Sequence, residues 1–264
     1  MRPVLPYLRP ALGVLVAIAI TTAMDANDLS MFSALPLLPL MLLFWLLERL
    51  PRVEMGFTVG RPRDYLAAVL HPLLVLGAAT LVVLLVGLID TSEANWRHFW
   101  LNLGTGSTLG ILAVWLTEEG LFRGWLWGSL RRAGASEHQT LVWSSIAFAL
   151  WHVSAVTLET GFNPPPAQIP VYLANVIVIG LIWGILRSVS GSVLVASVAH
   201  AVWNAIAYGL FAFGSKVGAL GVTETGTYGP EVGWVGLLLN AVFAAALWSC
   251  LGRSRAHLQV GARV

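Results

Sequence analysis

Glu118, Glu119 and Arg123 stand inside the apolar run GILAVWLTEEGLFRGWLWGSL. Near the centre of a membrane helix each charged side chain costs about 2.5–3.5 kcal/mol on the insertion scale, so something must offset them. At 100° per residue Glu119 and Arg123 are i, i+4 neighbours, whereas Glu118 is i, i+5 from the arginine and points about 140° away. The two glutamates therefore have different tasks. A neutralised Glu119–Arg123 pair packing one helix against another accounts for those two residues and leaves Glu118 over. His152 follows Phe148 by one helical turn in FALWH, and His200 precedes Asn204 by one turn in SVAHAVWNA. Each pair lies on one helix face, so the second presents an imidazole and a carboxamide side by side.

A carboxylate and an imidazole can polarise a water for attack on an amide, while an imidazole and a carboxamide donate hydrogen bonds to the developing oxyanion. The chain carries no HExxH for a zinc protease, no intramembrane GxGD aspartyl motif and no GxSG serine motif. Glu, His, His and Asn remain. A glutamate and two histidines with one open position also form an acceptable catalytic zinc set, with Glu119 then the base, although Asn204 suits an oxyanion site better than a metal.

The elements that must hold these groups are membrane helices. Of 264 residues, 57% are hydrophobic and 11% charged, against about 25% charged in a soluble domain. Apolar runs long enough to cross the bilayer fall at about 5–24, 29–47, 65–89, 99–131, 138–158, 168–187, 191–213 and 233–251. The expected fold is an all-α, polytopic transmembrane bundle of about eight helices. It forms a single membrane domain over 1–264, with a catalytic core at about 99–213. The fourth run is too long for one simple crossing and reads as an extended or bent helix.

Arginines set the orientation, because Lys and Arg accumulate on the cytoplasmic side. With the N-terminus inside, Arg2, Arg9, Arg49, Arg52, Arg61, Arg63, Arg131, Arg132, Arg187, Arg253, Arg255 and Arg263 all fall in cytoplasmic segments, and only Arg97 and Lys216 fall opposite. Both termini are then cytoplasmic. An N-terminal signal peptide is the competing reading of the first run. Measured from the arginine-bearing helix ends, Glu118, His152 and His200 stand at about 20, 21 and 14 Å, so they can converge at one level, expected to open toward the cytoplasm.

Other features have structural explanations. The Gly120, Gly124, Gly128 stripe and the Gly180/Gly184 pair suit close helix packing. His71 beside Pro72 reads as a packing or hydrogen-bonding residue, and His98, His138 and His257 as solvated. The twelve tryptophans read mostly as interface anchors or bulk. A formal charge of +2 leaves no footprint for nucleic-acid binding, and the one cysteine, Cys250, permits neither an internal disulfide nor a cysteine-based metal site.

Glu118-Glu119-x-x-x-Arg123, Phe148-x-x-x-His152 and His200-x-x-x-Asn204, in that order on successive segments, resemble the CPBP family of intramembrane endopeptidases. That family includes the Ras-converting CAAX protease and bacteriocin-processing or immunity proteins. The flanking Phe122-Arg123-Gly124 fits as well. The resemblance implies a multi-helix protease of a bacterial inner (plasma) membrane, open to the cytoplasm. Glu118 would be its water-activating base, assisted by His152, with His200 and Asn204 as the oxyanion site. Glu119 and Arg123 would hold the geometry and Phe148 would shape the pocket. The implied partners are the lipid bilayer and a membrane-anchored protein or peptide substrate, with oligomeric state open. No cofactor is expected; the alternative is zinc or another divalent metal on Glu118, His152 and His200. Two other classes fit the same residues, a non-catalytic scaffold or immunity protein and a proton-coupled carrier.

Overall fold

The computed structural model describes residues 5–211 and 216–261, with side chains described for residues 6–211 and 216–250. Arg2 and Arg263 lie outside the described residues, as do residues 212–213 of the expected seventh span and the side chains of Arg253, Arg255 and His257.

Helix α1 (Leu8–Asp25) is followed by α2 (Leu37–Glu48) and α3 (Pro62–Leu85). The last begins at a capping box, in which the Arg61 backbone N–H and guanidinium both donate to the Asp64 carboxylate and Pro62 occupies the first turn. The fourth span is broken. Helices α4 (Trp96–Gly106) and α5 (Leu109–Leu116) meet at 45°, a π-helical turn follows at Gly120–Trp125, and α6 (Leu126–Arg132) completes the passage. The chain then runs through α7 (Glu137–Trp151), the short α8 (Val153–Thr157) and α9 (Ile169–Ser190). Gly191, at φ +70°, ends α9 in the left-handed conformation and turns the chain into α10 (Val193–Leu210). A one-turn helix, α11 (Thr225–Tyr228), precedes α12 (Trp234–Gly261).

Among the described residues, six stretches are long and apolar enough to cross a membrane, the bent α4–α5 pair makes a seventh, and Trp234–Cys250 is a shorter apolar helix in the eighth expected position. The expected all-helical bundle is present. Leucines along α1, α2 and α3, including Leu15, Leu43, Leu46, Leu73 and Leu84, are exposed. Such a surface suits hydrocarbon, since soluble monomers rarely expose large contiguous apolar patches. The polar groups are inside: Glu119, Arg123, His71, Asn175 and Asn240 are fully buried. This is a multi-pass integral membrane protein.

Helices α7, α9 and α10 form the centre, with α9 packed on α7 and α12, and α10 on α3, α4 and α5. Glycines let them approach. A Cβ on Gly180 would stand 3.1 Å from both the Arg123 guanidinium and the Ser145 side chain, and one on Gly120 would stand 2.7 Å from the Trp115 carbonyl. His71 is a packing residue, as its sequence setting suggests: its Nε2 pairs with Asn240 Oδ1 at 3.0 Å and its ring stacks on Trp203.

Candidate active site

Two breaks in helical regularity position the acidic and first imidazole groups. Thr117 leaves helical geometry at φ −108°, ψ −94°, so Glu118 and Glu119 sit between the end of α5 and the π-helical turn. His152 caps the end of α7 and begins α8. Irregular backbone at membrane depth is tolerated where it is enclosed by protein or lines a cavity, and π-turns are frequent at functional sites. His200 and Asn204 project from the regular helix α10, one turn apart.

Glu118, Phe148, His152, His200 and Asn204 all line one chamber of about 330 Å³. Glu118 Oε2 stands 3.8 Å from His200 Nε2, with the Glu118 side chain 14% exposed. Behind them Glu119 and Arg123 form a fully buried ion pair at 3.2 Å. Glu119 Oε1 also reaches His200 Nδ1 at 3.0 Å, and Arg123 Nη2 donates to the Gly180 carbonyl at 3.2 Å. Glu119 thus fixes the ring of His200 as well as neutralising Arg123, a double role that helical spacing alone does not reveal.

Phe148 is the hub of this cluster. Its ring lies 4.2 Å beneath the Arg123 guanidinium and meets the His152 ring edge-on at 4.5 Å and the His200 ring at 6.0 Å. Its backbone carbonyl accepts a hydrogen bond from His152 Nδ1 at 2.8 Å. A carbonyl can only accept, so Nδ1 bears the proton, and in the neutral ring Nε2 carries the lone pair. Trp183 stacks on His200 at 4.0 Å and holds the ring from its other side.

Several lining residues carry no signal in the linear sequence. Trp151, Trp183 and Trp203 are buried around the chamber rather than anchored at an interface. Asp25, at the end of α1, accepts a hydrogen bond from Ser154 at 2.6 Å, and Glu231, in the Gly/Thr-rich segment before α12, accepts one from the Trp203 indole at 2.9 Å. Burial pushes the Glu231 carboxyl up to about 7, opposed by the indole hydrogen bond. Charges in loops are ordinary, and only tertiary packing brings these two to the chamber.

The chamber lining also includes Asp25 at the end of α1, Ser30, Met31 and Ser33 between α1 and α2, Phe162 between α8 and α9, and Glu231 before α12. These segments lie at the arginine-poor end of the bundle. A second cavity of about 590 Å³, lined by His98, Asn102 and Lys216 among others, shares Asn204 and Tyr208 with the chamber. Among the described residues, no group of three or more His, Cys, Asp or Glu side chains is placed to hold a metal ion.

The architecture is thus that of a polytopic membrane protein with a glutamate–histidine chamber enclosed by its helices. Residues 72–206 match the Rce1-like family, described as type II CAAX prenyl endopeptidase Rce1-like. That stretch exceeds half of the chain and contains every motif residue above; the chain belongs to this family. The match begins within α3, well before the first motif residue. No curated protein and no solved structure matches the chain.

Proposed function

We propose that this protein is an intramembrane endopeptidase that hydrolyses a peptide bond of a membrane-anchored protein or peptide in a bacterial plasma membrane. The observation that carries this reading is the shared lining of one chamber by Glu118, His152, His200 and Asn204, with the Glu119–Arg123 pair behind it.

In this reading Glu118, with the lone pair of His152 Nε2, takes the proton of a water as it attacks the carbonyl carbon. The Asn204 carboxamide and His200 Nε2–H donate to the oxyanion. His200 Nδ1 is committed to Glu119, so Nε2 donates only when the ring carries both protons. Glu118 then returns the proton to the leaving amine. Every step uses side chains of this chain and a water, and none is routed through a metal.

The test uses the purified protein in proteoliposomes with a membrane-anchored peptide identified from cells. Glu118→Gln should abolish cleavage while the protein remains inserted. Full hydrolysis by Glu118→Gln would remove the proposed base and with it the mechanism.

A further inference from the structure

We infer that the chamber opens on the extracytoplasmic face, so that the scissile segment is one already translocated across the bilayer. This deepens the peptidase reading and rests on it for the word scissile; the sidedness stands on two other observations.

The first is the distribution of arginines. Arg49, Arg52, Arg61, Arg63, Arg131, Arg132 and Arg187 gather at one end of the bundle, and Lys and Arg in short loops resist translocation. That end is also stitched shut. Arg132 pairs with Glu54 at 3.3 Å, Arg187 Nη2 donates to the Glu54 carbonyl at 3.0 Å, the Val193 backbone N–H donates to the Gly56 carbonyl at 2.9 Å, and Thr58 Oγ1 donates to the Gly191 carbonyl at 3.0 Å.

The second is the course of the chamber. Its exposed and half-buried lining residues Met31, Ser30, Phe162 and Glu231 belong to the connections at the opposite end, and no lining residue comes from 49–61, 133–136 or 191–192. His152 lies at the far end of α7 and Tyr172 in the first turn of α9, both toward that same end. With the arginine-rich end cytoplasmic, the mouth faces outward.

The rim also restricts what enters. Asp25, Glu118 and Glu231 contribute three carboxyl groups to the chamber, and no lysine or arginine among the described residues lines it. These carboxyl groups disfavour a chain ending in a free carboxylate relative to a neutral or basic internal segment. The substrate class is therefore an anchored polypeptide cut within the extended stretch that leaves the membrane on its outer side.

Sidedness is read without hydrolysis. In a Cys250→Ser background, Met31→Cys at the rim and Val53→Cys in the arginine-rich loop are each treated with a membrane-impermeant maleimide, in intact spheroplasts and in inverted vesicles. Met31→Cys should label roughly tenfold more in spheroplasts, and Val53→Cys roughly tenfold more in inverted vesicles. Labelling of Met31→Cys from the inner face, alone or equally with the outer, overturns the inference. A second arm co-expresses single-span reporters bearing the same neutral, extended segment on either side of the anchor, with Glu118→Gln as the blank. Cleavage of the outer reporter alone agrees with the inference, and cleavage of the inner one alone overturns it. Outward labelling with no cleavage of either reporter counts against the peptidase reading and leaves the sidedness standing.

Discussion

Phe148 occupies the point where three demands meet. Its ring receives the Arg123 cation and meets both imidazoles edge-on, and its carbonyl fixes the tautomer of His152. Replacing it with leucine keeps the carbonyl and loses the aromatic face. Peptidase activity should fall while insertion persists, read as cleavage per inserted molecule. At the reacting groups, Glu118→Gln, His152→Ala and His200→Ala should each cost about 10²–10⁴-fold in kcat, the range for a general acid or base. Asn204→Ala should cost about 10²–10³-fold, as for one oxyanion donor. Arg123→Met differs in kind. It removes the guanidinium from the buried Glu119 carboxylate and leaves only the His200 contact, so up to about 3–5 kcal/mol of stability should be lost, measured by thermal unfolding in detergent. Glu231 offers a pH signature. Held at about 7 in the fold, against 4.5 for an ordinary glutamate, it keeps its proton in the native state through that window. The unfolded state binds fewer protons there, so stability falls as pH rises from about 4.5 to 7. Glu231→Gln should flatten that fall in Tm; an unchanged slope would assign it to another group.

At the scale of elements, the catalytic candidates sit where helices are interrupted: Thr117 before Glu118, the π-helical turn after Glu119, and the α7–α8 junction at His152. Apolar periodicity located the spans to within a few residues, because crossing hydrocarbon demands an unbroken run whatever the tertiary arrangement. The motif residues were legible for a related reason, since an ionisable group inside such a run stands out. Breaks of geometry were less so. The length of the fourth run implied a bend, but the π-helical turn arises from packing around Arg123 and the neighbouring glycines. Those glycines differ in what they tolerate. Gly180→Ala should displace the Arg123 guanidinium or the Ser145 helix, lowering both Tm and activity, because the added carbon stands 3.1 Å from each. Gly77, with nothing within 4 Å of an added carbon, should accept alanine with a small gain, about 0.4–1 kcal/mol. Equal effects at the two positions would show that the α7–α9 approach is not what Gly180 serves.

Across the whole molecule, alternating arginines, exposed leucines and a polar interior describe the same object from three directions. Depth along each helix allowed Glu118, His152 and His200 to meet, and all three line one chamber. Which connections reach the chamber was not legible, because that depends on how residues 26–36, 158–168 and 216–233 pack against the helices. Asp25 and Glu231 escaped notice for the same reason, as loop carboxylates become chamber residues only in three dimensions. The central claim, that Glu118 drives hydrolysis of membrane-anchored polypeptides, is tested most directly by comparing the peptide termini of membrane proteomes from cells carrying the wild-type chain or Glu118→Ala. The account predicts a defined set of uncut precursors in the variant, with the matching new termini confined to the wild type. Indistinguishable termini in the two proteomes would contradict it.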